Sequence, residues 1–124
     1  MPTRAYTLPK SHILRSRHDF NAVFGARVKQ ARGPLLIFAR PNDRPHPRIA
    51  IQTSVRVGTA VRRNRIRRLL REAFRLMQHD LPRGYDVVIV VRPHEPLMLA
   101  DYQRLLSGGL VKLHQVWENK SAEC

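Results

Sequence analysis

Acids, cysteine and long apolar runs are all scarce in this chain, and each scarcity removes a class of protein. Nine acids stand against 23 lysines and arginines, giving a formal net charge of +14. An acidic substrate or polyanion is therefore the natural partner, and a basic ligand is excluded. The lone cysteine, Cys124, allows neither an internal disulfide nor a cysteine-based zinc site, which is the usage of a reducing compartment such as the cytoplasm. No apolar run approaches the roughly 20 residues of a membrane helix, so no membrane partner is expected. Met1–Lys10 lacks the apolar stretch of a secretory signal, and shows no Arg-rich amphipathic helix of a transit peptide. Lysine is absent between Lys29 and Lys112, so the central charge is almost entirely arginine. Arginine's planar fork binds phosphate bidentately and stacks on bases, which favours structured or single-stranded nucleic acid over a diffuse membrane surface.

With 43% apolar residues in 124, the chain can build one modest core. The pattern predicts a single domain over 1–124: a basic arm at 1–13, an ordered core at about 16–117 and a short tail at 118–124. Ser16-Arg17-His18-Asp19 resembles a capping box with Asp in the acid position, and predicts a helix from Arg17 to Phe24 stopped by Gly25. Strands are expected at Arg27–Gln30, Leu35–Ala39 and Arg48–Gln52, with a turn at Ala31–Pro34 and a proline-rich loop at Pro41–Pro47. Thr59 caps a long helix reaching about His79. Pro82-Arg83-Gly84 breaks the chain before Tyr85–Val91, a valine-rich run short enough for a buried central strand. A last helix spans Leu99–Trp117, with Trp117 as an anchor and Gly108-Gly109 expected to weaken or bend it. The order α-β-β-β-α-β-α predicts an α+β fold, a two-layer sandwich with a four-stranded sheet.

The long helix carries the strongest signal. Between Arg62 and Arg75 lie seven arginines and one acid, Glu72. Ile66, Leu69, Leu70, Ala73, Phe74 and Met77 recur at spacings that share one helical face, while Asn64, Arg67, Arg68, Arg71 and Arg75 cluster opposite. A solvated helix mixes signs and gains from opposite charges one turn apart; here like charges repel. Arg62 and Arg63 in the first turn also oppose the helix dipole, at about 0.3–1 kcal/mol each. Both features make sense if phosphates occupy that face in the working state.

Signals for protein-borne catalysis are weak. His12, His18, His46, His79, His94 and His114 lack ligand spacing, His94-Glu95 reads as a turn, and Asp86 and Asp101 read as isolated carboxylates. No short helix and tight turn precede the arginine helix, so it is not a helix-turn-helix DNA reader.

The segment Val57-Gly58-Thr59-Ala60-Val61-Arg62-Arg63-Asn64-Arg65-Ile66-Arg67-Arg68-Leu69-Leu70-Arg71-Glu72-Ala73-Phe74-Arg75 closely resembles the Arg-Asn-Arg signature helix of the bacterial ribonuclease P protein family. Asp19–Phe24 is similar to that family's N-terminal aromatic helix and Gly84–Pro93 to its last strand, in matching order. The resemblance implies a partner, a large catalytic RNA, and a substrate, precursor tRNA, whose 5′ leader the assembly removes. It implies that the RNA performs hydrolysis with Mg2+ held mainly by the RNA. It implies that Arg62, Arg63, Asn64, Arg65, Arg67, Arg68, Arg71 and Arg75 contact the catalytic RNA, and that Phe20, Phe24, Leu36, Phe38 and Gln52 line a cleft for the leader. An unusual left-handed β-α-β crossover is also implied, against the common right-handed rule. Two positions depart from the family pattern: Val55 stands where a lysine is usual, and Phe38 where tyrosine is common.

Taken without the resemblance, Phe20, Val23 and Phe24 read more readily as core than as a stacking platform, and a structural RNA-binding protein such as a ribosomal protein is the alternative. An assembly protein needs the arginine face but no single-strand groove. Oligomeric state stays open at this level.

Overall fold

The computed structural model describes residues 12–81 and 84–122. The expected arm up to Ser11, Pro82 and Arg83 of the chain break, and Cys124 lie outside the described residues. Helix α1 spans Arg17–Ala26, strands β1, β2 and β3 span Lys29–Arg32, Leu35–Pro41 and Arg48–Gln52, helix α2 spans Ala60–Met77, strand β4 spans Tyr85–Val91, and helix α3 spans Leu99–Ala122. The sheet order is β1-β2-β4-β3. β1, β2 and β4 pair antiparallel, and β3 pairs parallel to β4, to which α2 connects it.

Burial follows the period of two. Leu35, Ile37 and Ala39 of β2, with Ile49, Val87, Ile89 and Val91, face α2 and α3 and form the main core with Ile66, Leu70, Phe74, Tyr102, Leu106 and Leu113. The other sheet face packs Leu14, Val23, Ala50 and Val88 against Phe20, Phe24, Phe38 and Val90. The α+β class, element order and four-stranded sheet match the sequence reading. The layering goes beyond two, because the apolar side of α1 covers part of the second sheet face.

Boundaries moved where tertiary pairing overrode local signals. Ser16 Oγ accepts from Asp19 N at 3.4 Å as expected, but α1 runs past Gly25, and Arg27 takes the left-handed cap at φ 59°. β1 therefore starts at Lys29, and Ala31 and Arg32 pair with Leu36 and Leu35, shrinking the turn to Gly33-Pro34. Gly108-Gly109 does not interrupt α3. A Cβ on Gly109 would lie 2.6 Å from Ile37 Cδ1, so the absent side chain lets the helix lie close on the sheet. Trp117 Nε1 donates to the Ala39 carbonyl at 2.9 Å, anchoring the far end of α3.

Asp86 is not isolated. Arg48 grips it bidentately, with Nε 2.7 Å from Oδ1 and Nη2 2.6 Å from Oδ2, and Asn42 Nδ2 donates to Oδ1 at 2.8 Å. The hydrogen bonds that Arg48 donates to Asp86 are also what raise the Arg48 pKa above its ordinary value. Removing one member would strand a buried charge, a loss of about 3–5 kcal/mol.

The last residues of the expected arm are structured. Ile13 bridges Ile49 in parallel, and Leu14 N donates to the Ile49 carbonyl at 2.8 Å. The His12 ring stacks on His46 at 4.0 Å. Burial, then the charges of His46 and His79, hold the His12 pKa below its ordinary 6.5, partly offset by Gln78. A base with a lowered folded pKa keeps its full stability above the unfolded value and loses it as pH falls from there toward the folded value. Melting temperature should therefore fall as pH drops through the ordinary histidine value of 6.5, and His12→Asn should flatten that slope. Parallel slopes in variant and parent would refute this role for His12.

Candidate nucleic-acid interface

The strand-to-helix connection is built to start α2 abruptly. A 3-10 turn at Val55–Val57 leads to Gly58 at φ 145°, where a Cβ would lie 2.7 Å from Arg62 Cδ. Thr59 Oγ1 then accepts from Arg62 N at 3.2 Å, the expected N-cap. Ile66, Leu70, Ala73 and Phe74 are buried, which turns the arginine side outward.

Asn64, Arg67, Arg68, Arg71 and Arg75, with Ile51 and Glu72, line a groove of about 600 Å³. These are the polar residues that periodicity placed opposite the core. Glu72 hydrogen-bonds Arg75, which lowers the Glu72 carboxyl pKa and raises that of Arg75. Arg67, Arg68 and Arg71 supply the remaining positive charge of the groove.

The other three arginines stand apart. Arg62 pairs with exposed Glu95 of the β4–α3 loop at 3.2 Å. Arg65 is exposed and does not line the groove. Arg63 is half-buried, and its Nε is buried without a hydrogen-bond partner. Arg63 sits seven residues before buried Leu70, a spacing that shares a face and already hinted at this position.

A second depression, about 530 Å³, is lined by Arg15, Arg17, Phe20, Asn21, Phe24 and Gln52. It brings together three of the five expected cleft residues. Phe38 sits behind Phe24, edge to face at 4.8 Å, with Lys29 Nζ 5.7 Å from its ring centre. Leu36 is half-buried on the same sheet face as Phe38 but is not among the lining residues. Arg15, Arg17 and Asn21 were missed by the sequence reading. The spacing of Arg17 from Phe20 and Asn21, three and four residues, could have placed them on one helical side. A third hollow, about 390 Å³, joins the two: it shares Ile51 and Arg67 with the groove and Gln52 with the depression. The groove is arginine-rich, and the depression sets Arg15 and Arg17 beside Phe20 and Phe24, residue types that can bind phosphates and stack on bases.

Several titratable groups elsewhere have structural partners. His94 Nδ1 donates to the Arg92 carbonyl at 2.8 Å, so its Nε2 accepts from Tyr102 Oη at 2.7 Å while that hydroxyl accepts from Leu97 N. His114 lies 2.8 Å from the Tyr85 hydroxyl, whose pKa is raised by burial and then by Glu118. Asp101 accepts from Met98 N at the start of α3 and pairs with Arg104. Among the described residues no three His, Cys, Asp or Glu side chains group as metal ligands.

Comparison with known proteins agrees with this geometry. The ribonuclease P family model matches residues 8–119. The chain is 40% identical over 93 residues to the ribonuclease P protein component of Methylococcus capsulatus, covering 74% of this chain and 72% of that protein. Its structure is similar to that of the RNase P protein from Thermotoga maritima solved with 1-(4-fluorophenyl)-2-thiourea, at TM-score 0.69 and 28% identity over 75% of this chain and 92% of the other. The fold also matches the RNase P protein of Staphylococcus aureus, at TM-score 0.72 and 24% identity over 86% and 98% of the two chains. A family match over nearly the whole described core, with a relative 40% identical, sets aside the ribosomal alternative: the chain belongs to the ribonuclease P protein family, the protein subunit of an RNA-catalysed endoribonuclease that removes 5′ leaders from tRNA precursors.

Proposed function

We propose that the α2 groove docks on the catalytic RNA and that the depression beside α1 receives the 5′ leader of precursor tRNA. One observation carries the reading. The groove and the depression are linked by a hollow that shares lining residues with both, so the catalytic RNA and the leader can occupy adjoining parts of one surface. In this reading Asn64, Arg67, Arg68, Arg71 and Arg75 meet RNA phosphates, with Arg62, Arg63 and Arg65 on the flanks of the contact. Phe20 and Phe24 stack on leader bases, Gln52 bounds the opposite wall, and Phe38 and Leu36 support from the sheet face.

The protein carries no step of the hydrolysis. It supplies positive charge where RNA strands would repel, and a surface that lowers the cost of ordering the leader. Mg2+ in this reading is held mainly by the RNA. The groove does not suit a divalent cation, since its single acid, Glu72, already pairs with Arg75. A cytoplasmic location is part of the same proposal, supported by the single cysteine and by the absence, among the described residues, of any helix long and apolar enough to cross a membrane.

Arg68→Ala and Arg71→Ala should each weaken catalytic-RNA binding and reduce the slope of log K against log salt by about 1. Arg62→Ala, already engaged with Glu95, should do less. Equal effects at all three positions, measured by filter binding across a salt series, would show the groove to be misassigned. Phe20→Ala should cost about 1–3 kcal/mol in binding of leader-bearing precursor and leave a leaderless transcript unaffected. An equal loss on both substrates would make Phe20 a packing residue.

A further inference from the structure

Helix α1 rests on the sheet through Val23, Phe20 and Phe24. Val23 is its only fully buried side chain, and Phe20 and Phe24 are left half-exposed on the side that lines the depression. A helix whose aromatic residues are only half-buried gains from a second, polar tie. Asp19, next in sequence to Phe20, supplies it: its Oδ2 lies 3.3 Å from Arg48 Nη1. The Arg48 side chain is only 13% exposed and cannot swing freely, because its Nε and Nη2 are fixed on Asp86, which Asn42 holds in turn. Arg48 opens β3, and Gln52, on the same strand face, ends it and walls the depression opposite α1.

We infer that Asp19 is a positioning residue for the 5′ leader: its ion pair to Arg48 fixes the distance between the aromatic side of α1 and the β3 wall, and hence the width of the depression. This rests on the reading of the depression as the leader site. The geometry makes the pair a one-sided latch. Arg48 stays anchored on Asp86 whether or not Asp19 is present, so loss of the Asp19 carboxylate removes the polar tie of α1 without unseating the sheet. Asp19 touches the substrate in no part of this argument; it acts through Phe20 and Phe24.

The test compares reconstituted ribonucleoproteins on precursor tRNA with a long leader and on the same tRNA without one. Asp19→Asn should lower affinity for the leader-bearing form by roughly threefold to tenfold relative to the leaderless form. Asp19→Glu, which keeps the charge, should retain most of the discrimination. Asp19 also favours the α1 dipole from the first turn, so a helix-stability effect must be separated from the latch. His18→Asp combined with Asp19→Asn returns an acid to that turn one position away. The double variant should recover melting temperature but not leader discrimination. The proposal is overturned if Asp19→Asn discriminates like the parent, or if the double variant recovers both properties. Should the parent itself show no preference for the leader, the assignment of the depression fails, and this inference with it.

Discussion

Crowded guanidinium groups on one side of α2 and apolar side chains on the other set the terms for the rest of the molecule. Arg67 and Arg71, and Arg71 and Arg75, are one turn apart, and such like-charged pairs cost about 0.2–0.5 kcal/mol each. Burying Ile66, Leu70 and Phe74 gives about 1.5–3 kcal/mol apiece. Packing therefore wins, and the helix forms against the sheet. Its repulsion is left unrelieved on the outer face, with Glu72 compensating only Arg75. In the proposed complex, RNA phosphates along the groove would remove that cost, coupling binding and stability through one helix.

The second constraint falls on α1. Aromatic side chains that stack on bases cannot also be sealed in a core, and Phe20 and Phe24 are half-buried in keeping with both demands. Polar interactions then hold what packing leaves loose. Arg48 links β3 to β4 through Asp86 and to α1 through Asp19, reaching three elements with one side chain. The glycines of α3 solve a related problem on the other sheet face, where Gly109 lets the helix approach Ile37 closely.

Much of this was legible because it is local. The Thr59 cap, the two faces of α2 and the buried β4 all follow from periodicities within a few turns of chain. The opposite face of α2, read as Asn64, Arg67, Arg68, Arg71 and Arg75, is the set that lines the groove. What was not legible depends on partners distant in sequence. Arg48 and Asp86 are 38 residues apart, and nothing near either one marks the pair. Ala31-Arg32 looks like a turn until β2 is laid beside it. Gly108-Gly109 looks like a helix breaker until Ile37 is seen beneath it. Among the residues implied by the family resemblance, Arg62, Arg63 and Arg65 diverge from the groove because the resemblance marks chain positions, whereas the turn of the helix decides which way each side chain faces.

The coupling of anion to helix can be measured without any RNA. Thermal melts of the isolated chain in sodium sulfate and in sodium chloride, matched in ionic strength and kept below ~10 mM salt, separate site occupancy from general screening. Sulfate is expected to raise the melting temperature and the helical circular dichroism signal well beyond chloride, and Arg68→Ala with Arg71→Ala to remove most of the difference. Coincident sulfate and chloride curves would contradict the account, because the arginine face would then carry no unrelieved charge for a phosphate to relieve.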